Sequence, residues 1–370
     1  LVEPWACVED SYVNIERQAI KPGGRLLIVA DDPASIQIES LPHDPAGKPG
    51  EVLLKTPAEA GSVANEYCDD IIYFGADKAT IETLNDKVAA RGIINIVLGG
   101  KKIGTTVNVG VGRVHYGMTR WIGTTGNDPA DSYKNIPLAG EIRPGDSVIV
   151  VGAGGPMGQM HVIRAVCSGI KDISVIGTDM DDARLASIQK KAEPFAKANS
   201  VSMKMVNTVK TPLAERFSYF ALMAPVPALV ATSIRDSKPG CIINIFAGIP
   251  APARHEIDLD TYIANRCFMF GTSGSTIRDM KIVLEKVTTG QLNTNCSVDA
   301  VSGMAGATEG IAAVENRTLA GKIIVYPSLH DIGMIPLVDL HKPFPTVATR
   351  LDNGQWTKAA EEELLRVAGR

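Results

Sequence analysis

SVIVVGAGGPMG, residues 147–158, is an apolar run that breaks into glycines and then becomes helical in pattern. The next apolar run, ISVIGTD (173–179), ends on Asp179. A buried strand, a glycine turn, a helix, a second strand and a terminal acid are, in that order, the parts of a nucleotide-binding βαβ unit. Glycine at the turn lets the backbone come up to a pyrophosphate that a side chain would hold away. The helix that follows presents free N–H groups and the positive end of its dipole to the phosphate charge. Asp179 can accept hydrogen bonds from both ribose hydroxyls and would repel a 2′-phosphate, so the pattern predicts NAD in preference to NADP. It points to a dinucleotide-dependent oxidoreductase, against the plainer alternative of a glycine-rich turn that binds nothing.

Two frames fit the glycines. Gly152, Gly154 and Gly158 are spaced G-x-G-x-x-x-G, one residue longer than the usual fingerprint. Counting from Ala153 restores the usual spacing to Gly155 and Gly158, with alanine in the first place. In either frame Gly154 and Gly155 can share the turn, and Pro156, ahead of Met157, fixes φ at the helix start.

The chain has 370 residues, enough for two or three domains at about 150 residues each. Hydrophobic residues make up 45%, which supports full cores, and a net charge of −4 argues against nucleic acid or an anionic membrane as the main partner. The six cysteines lie far apart with no C-x-x-C pair, which suits reduced thiols in a cytoplasm. No apolar stretch approaches the roughly 20 residues of a membrane span. Residue 1 is Leu, and LVEPWACVEDSY reads as the interior of a domain, so the chain is expected to be a fragment of a longer protein.

The same architecture is expected twice. AIKPGGRLLIVAD (19–31) parallels EIRPGDSVIVVG (141–152), IINIVLGG (93–100) parallels CIINIFAG (241–248), and RWIGTTGND (120–128) parallels CFMFGTSGS (267–275). The offset between matched positions grows along the chain, so the first copy is shorter by about one βα unit. Its strand LLIVAD runs into a Pro-rich stretch in place of a glycine turn, and TIETLNDKVAARG (80–92) is its amphipathic helix. The fold class predicted is α/β: a doubly wound, parallel-sheet Rossmann domain at 141–290, preceded by a degenerate, shorter α/β copy at 13–140. Residues 1–12 would be a linker remnant, and 291–370 a return strand with a C-terminal extension.

Four segments resemble the medium-chain dehydrogenase/reductase superfamily on its zinc alcohol and polyol dehydrogenase side. They are EPWACVE (3–9), RPGDSVIVVGAGGPMG (143–158), FAGIP (246–250) and AGKIIVYP (320–327). GGPMG together with TDMDDARL is similar to the sorbitol dehydrogenase-like and L-sorbose 1-phosphate reductase-like members. The resemblance implies that Gly152, Gly154, Gly155, Pro156, Met157 and Gly158 hold the pyrophosphate, Asp179 the ribose, and Arg184 the adenine. Arg184 could equally be a solvated helix charge. It further implies that Ala247, Gly248 and Ile249, with Gly271, Thr272 and Ser273, border the nicotinamide; the bland alternative is a pair of tight turns.

Glu3 is the one residue for which the resemblance implies proximity to a catalytic zinc, whose other ligands would belong to an upstream GroES-like domain. Its plainer reading is a capping or salt-bridging carboxylate. None of the six histidines has a ligand or triad spacing, and Tyr12, Tyr116 and Tyr133 lack a lysine four positions on. The expected function is an NAD-dependent oxidoreductase acting on a secondary alcohol or ketone of a sugar, sugar phosphate or polyol. Such an enzyme would be cytoplasmic and homo-oligomeric. Two alternatives stay open: a metal-free dehydrogenase with its substrate between two α/β domains, and a non-catalytic dinucleotide-sensing subunit.

Overall fold

The decisive strand, Ser147–Val151, lies inside a sheet whose order reverses beside it. The computed structural model describes residues 1–369. Helix α1 (Val2–Val13) leads into the first sheet, whose strands are β1 (Arg25–Val29), β2 (Glu51–Lys55), β3 (Cys68–Phe74), β4 (Val88–Val97) and β6 (Arg120–Thr124). Between them lie α2 (Lys78–Asn85), the short β5 (Val107–Val109) and α3 (Val111–Tyr116), and α4 (Ala130–Lys134) follows β6. The strand order is β2-β1-β3-β4-β6, with every pairing parallel.

The second sheet is built from β7 (Ser147–Val151), β8 (Ser174–Asp179), β9 (Ser202–Asn207), β10 (Phe217–Leu222), β11 (Ser237–Ile245) and β13 (Phe268–Phe270). Helices α5 (Pro156–Val166), α6 (Asp182–Ala198) and α7 (Ala228–Arg235) cross between strands. Strand β12 (His255–Ile257) and helix α8 (Leu259–Ala264) precede β13, and α9 (Ile277–Thr288) follows it. Its order, β13-β11-β10-β7-β8-β9, is wholly parallel and is that of the doubly wound Rossmann fold. The chain leaves β7 toward β8 on one side and later returns to β10 on the other. That opens a crevice beyond the carboxyl end of β7.

The first sheet has this same order without a counterpart of β9, which accounts for the growing offset in the sequence repeat. β1, β4 and β6 stand where β7, β11 and β13 stand in the second copy. After β1 the chain forms only short 3₁₀ turns at Pro33–Ser35 and Ile38–Ser40, so no helix terminus faces that crevice. The helix predicted over 80–92 stops at Asn85, and Val88 already pairs with Cys68 in β4. Ile81, Leu84 and Val88 have helical spacing, but parallel pairing with β3 overrides it.

Alternating strand residues send their side chains to two apolar layers, and each layer runs through both sheets. Leu26, Ile28, Val148 and Val150 share one layer with Trp5 and Tyr12 of α1 and Ile163 of α5. Leu27, Val29, Ile96, Ile149, Ile243 and Ile245 share the other. Contacts between the copies are reciprocal. β5 pairs antiparallel with its counterpart β12, α3 packs on β13, and α8 packs on β6. The Tyr262 hydroxyl of α8 donates to the Trp121 carbonyl of β6 at 2.8 Å.

The remaining chain forms β14 (Val298–Ser302), α10 (Ala307–Glu315), β15 (Lys322–Val325), β16 (Ile335–Pro336), α11 (Pro345–Ala348) and α12 (Lys358–Ala368). They close a third core around Val301, Leu337, Trp356 and Leu364. Among the described residues no helix is long and apolar enough to cross a membrane.

Candidate functional site

The glycine turn occupies the crevice at the carboxyl end of β7. Gly152 has φ +85°, a left-handed conformation that favours glycine, so the tight turn belongs to this position. At Gly158 a Cβ would collide with the Gly152 carbonyl, so this glycine brings α5 down onto the turn. A Cβ on Gly154 would lie 2.7 Å from both Asp179 Oδ2 and Arg184 Cβ. The frame that starts at Gly152 is therefore the one realised, with Gly155 as the added residue at the N-cap of α5 and Pro156 in the first helical turn. Met157 and Gly158 follow with N–H groups that have no acceptor inside the helix.

Asp179 holds the turn from the far side. Its Oδ2 accepts from the Gly154 N–H at 3.0 Å, and its Oδ1 accepts from the Met180 N–H at 2.8 Å. Arg184 Nε and Gln159 Nε2 each donate to the Gly154 carbonyl at 3.2 Å. Arg184 reaches the turn because Asp181 caps α6 by accepting from the Ala183 and Arg184 N–H groups, which fixes the first turn of that helix. A carboxylate and a guanidinium thus flank the outer edge of a backbone cradle left free of side chains.

The loops at 247–249 and 271–273 follow β11 and β13 and lie at the same end of the sheet. Ala247 and Ile249 are buried and Gly248 is exposed; Gly271 and Thr272 are buried and Ser273 is exposed. The Thr272 hydroxyl is buried without a protein partner. Glu3, at the start of α1, is exposed, and its Oε1 accepts from the Cys7 thiol at 3.1 Å. Burial pushes the Cys7 thiol up, and the Glu3 hydrogen bond adds to this, whereas a hydrogen bond with Ser275 opposes it.

Lys322 on β15 is a site residue that sequence reasoning missed. Its Nζ lies 3.7 Å from Met157 Sδ at the start of α5, and Glu3 is a charge neighbour. Burial lowers its pKa from the ordinary lysine value, while Glu3 and Cys7 oppose the shift. No local motif could have found it, because only the return of the chain through β15 brings this cation to the glycine turn.

Beneath the site α5 is anchored by buried polar groups. His161 Nδ1 and the Tyr12 hydroxyl are 2.8 Å apart, and the imidazole meets Phe246, next to Ala247, edge-on with centroids at 4.5 Å. Burial pushes His161 down to about 3, with the Arg164 charge acting in the same direction. Arg164 pairs with Glu9 at 3.3 Å and with Glu141, and Lys286 completes the group by donating to Glu9 at 2.7 Å. Desolvation of Glu9 is outweighed by Arg164 and Lys286, which hold its carboxyl below the usual range.

For zinc the residues do not fit. Glu3 and Cys7 form a pair, and no group of three or more His, Cys, Asp or Glu side chains among the described residues could hold a metal ion.

No family model matches the chain. It is 26% identical over 250 residues to YggP, an uncharacterised protein of Escherichia coli, which covers 62% of this chain and 58% of YggP. It is also 26% identical over 248 residues to a mannitol-1-phosphate 5-dehydrogenase of Aliivibrio fischeri, covering 60% of this chain and 57% of that protein. The chain therefore spans less than two thirds of the length of either relative. Among solved structures, the benzyl alcohol dehydrogenase of Acinetobacter calcoaceticus superposes with a TM-score of 0.41 at 13% identity, over 50% of each chain. The L-idonate 5-dehydrogenase of Escherichia coli gives 0.40 at 16% identity, over 49% of this chain and 50% of that one.

Proposed function

We propose that this chain belongs to an NAD-dependent oxidoreductase acting on a secondary alcohol or ketone of a sugar, sugar phosphate or polyol. The observation that carries this is the Gly152–Gly158 turn at the sheet's switch point, with the Asp179 carboxylate hydrogen-bonded to the Gly154 N–H. The residues fit the cofactor, since glycine at 154 leaves the room in which Asp179 and Arg184 close on the turn, where a Cβ would press on both. When bound, the nicotinamide would supply hydride transfer between the cofactor and a carbinol or carbonyl carbon of the substrate.

The chain's own residues bind and orient. The free N–H groups of Met157 and Gly158 and the dipole of α5 face the pyrophosphate. Lys322 adds a cation at the same helix start, and Asp179 takes the ribose hydroxyls. Arg184 lies against the adenine, and the loops at Ala247–Ile249 and Gly271–Ser273 border the nicotinamide. The relative named for mannitol 1-phosphate supports a polyol phosphate as the substrate class.

Fluorescence titration with NADH and NADPH, on the natural chain and on Asp179→Ala, tests the reading. NADH is expected to bind in preference to NADPH, with affinity falling about tenfold or more in the variant through loss of charged hydrogen bonds. Absence of binding by either cofactor rejects it. The metal-free alternative, with its substrate between the two α/β copies, predicts polyol turnover that survives chelation.

A further inference from the structure

The first α/β copy carries no nucleotide turn, yet it reaches both loops at the nicotinamide end of the second. His115, on α3, has its Nδ1 3.0 Å from the Ile245 carbonyl at the end of β11. A carbonyl only accepts, so Nδ1 carries the proton and Nε2 keeps its lone pair. The same residue closes on the other loop, where a Cβ at Gly271 would lie 2.7 Å from His115 Cα. From β6, Arg120 Nη2 donates to the Gly271 carbonyl at 3.2 Å while Glu16 grips its guanidinium at 2.8 Å.

Tyr116 comes next. Its hydroxyl would stand 2.8 Å from a Cβ on Gly248, so the absent side chain at Gly248 leaves room for this phenol. The ring meets the His115 ring edge-on with centroids 4.7 Å apart, which restrains its direction. Tyr116 is 51% exposed, so its hydroxyl is open to a ligand.

We propose that α3 of the degenerate copy completes the substrate end of the cofactor site. The Tyr116 hydroxyl hydrogen-bonds a hydroxyl of the polyol, and His115 is a positioning residue that locks α3 to β11. This rests on the reading of the 247–249 and 271–273 loops as the nicotinamide border. A neutral phenol that both donates and accepts matches an alcohol, which also does both. Burial holds His115 below the ordinary histidine range, so its hold on the Ile245 carbonyl is that of a neutral ring. The degenerate copy thereby acquires a function: it carries one wall of a site that it does not itself contain.

The test uses the intact chain bearing Tyr116→Cys, with the maleimide labelling rate of the new thiol followed by peptide mass analysis. Saturating NADH is expected to slow labelling about fivefold, as where a ligand covers most of its groove. The thiol of Leu138→Cys, at the opposite end of the strands, should label at an unchanged rate. NADH that binds without protecting position 116 overturns the inference and leaves the cofactor reading intact. NADH that does not bind the natural chain overturns both.

With a polyol phosphate as substrate, Tyr116→Phe should raise KM about tenfold, with kcat and NADH affinity within about twofold of the natural chain. An unchanged KM rejects the hydroxyl contact. His115→Asn keeps a donor for the Ile245 carbonyl and should retain the KM that His115→Ala loses. Equal loss in both variants rejects the positioning role.

Discussion

At the scale of single residues, the two ends of the proposed pyrophosphate site differ in how visible they are in sequence. Asp179 is legible because it closes the strand that follows the glycine turn, and fold geometry returns that strand to the turn's side. Lys322 is invisible, because its place beside Met157 depends on β14 and β15 pairing far along the chain. A cation that close to the helix start should matter in binding: Lys322→Met is expected to weaken NADH about tenfold at low salt. The loss should shrink as salt rises and screens the natural lysine, which fluorescence titration at two ionic strengths would show. Gly154 permits a different forecast. In Gly154→Ala the new methyl meets Asp179 Oδ2 and Arg184 Cβ, so the carboxylate must leave the turn. NADH binding should be lost, with stability reduced by about 1–3 kcal/mol in denaturant unfolding.

At the scale of elements, the long strands and helices of the second copy are readable from apolar runs and caps, and the shortest elements are not. β5 and β12 have three residues each, too few to show a period, and they exist because each is the other's partner. The 88–92 stretch misleads for the opposite reason, since an apparent helical face is overridden by pairing with β3. Helix α5 carries a burial whose consequence is measurable. His161 is neutral in the folded chain and pushed down to about 3, against about 6.5 when unfolded. Between those values the unfolded chain binds a proton that the folded chain excludes, so stability falls as pH drops from 6.5 toward 3. The slope contributed is at most about 1.4 kcal/mol per pH unit. The double variant Tyr12→Phe, His161→Leu removes both partners together and should flatten that contribution in urea unfolding at pH 7 and pH 5. An unchanged slope would place the acid sensitivity elsewhere.

At the scale of the molecule, the repeat in the sequence exposes two copies and even the missing unit, but not their union. That union comes from layers continuous across two sheets and from reciprocal packing of α3 on β13 and α8 on β6. A Cβ on Gly123 of β6 would lie 2.7 Å from Ile263 Cγ1 of α8, so the copies meet as closely as layers within a core. Two copies joined in this way should open together. Ligand that binds only the folded state stabilises every part that unfolds with its site, by about 2.7 kcal/mol at a hundredfold excess over Kd. NADH should therefore slow amide exchange in the cores of β3 and β4 of the first copy to the same extent as in β10 and β11. If the copies opened independently, exchange would slow only in the second sheet, and β3 and β4 would exchange as in the free chain. Gly123→Val should lower protection in both sheets at once, because the added methyl groups strain the contact that couples them.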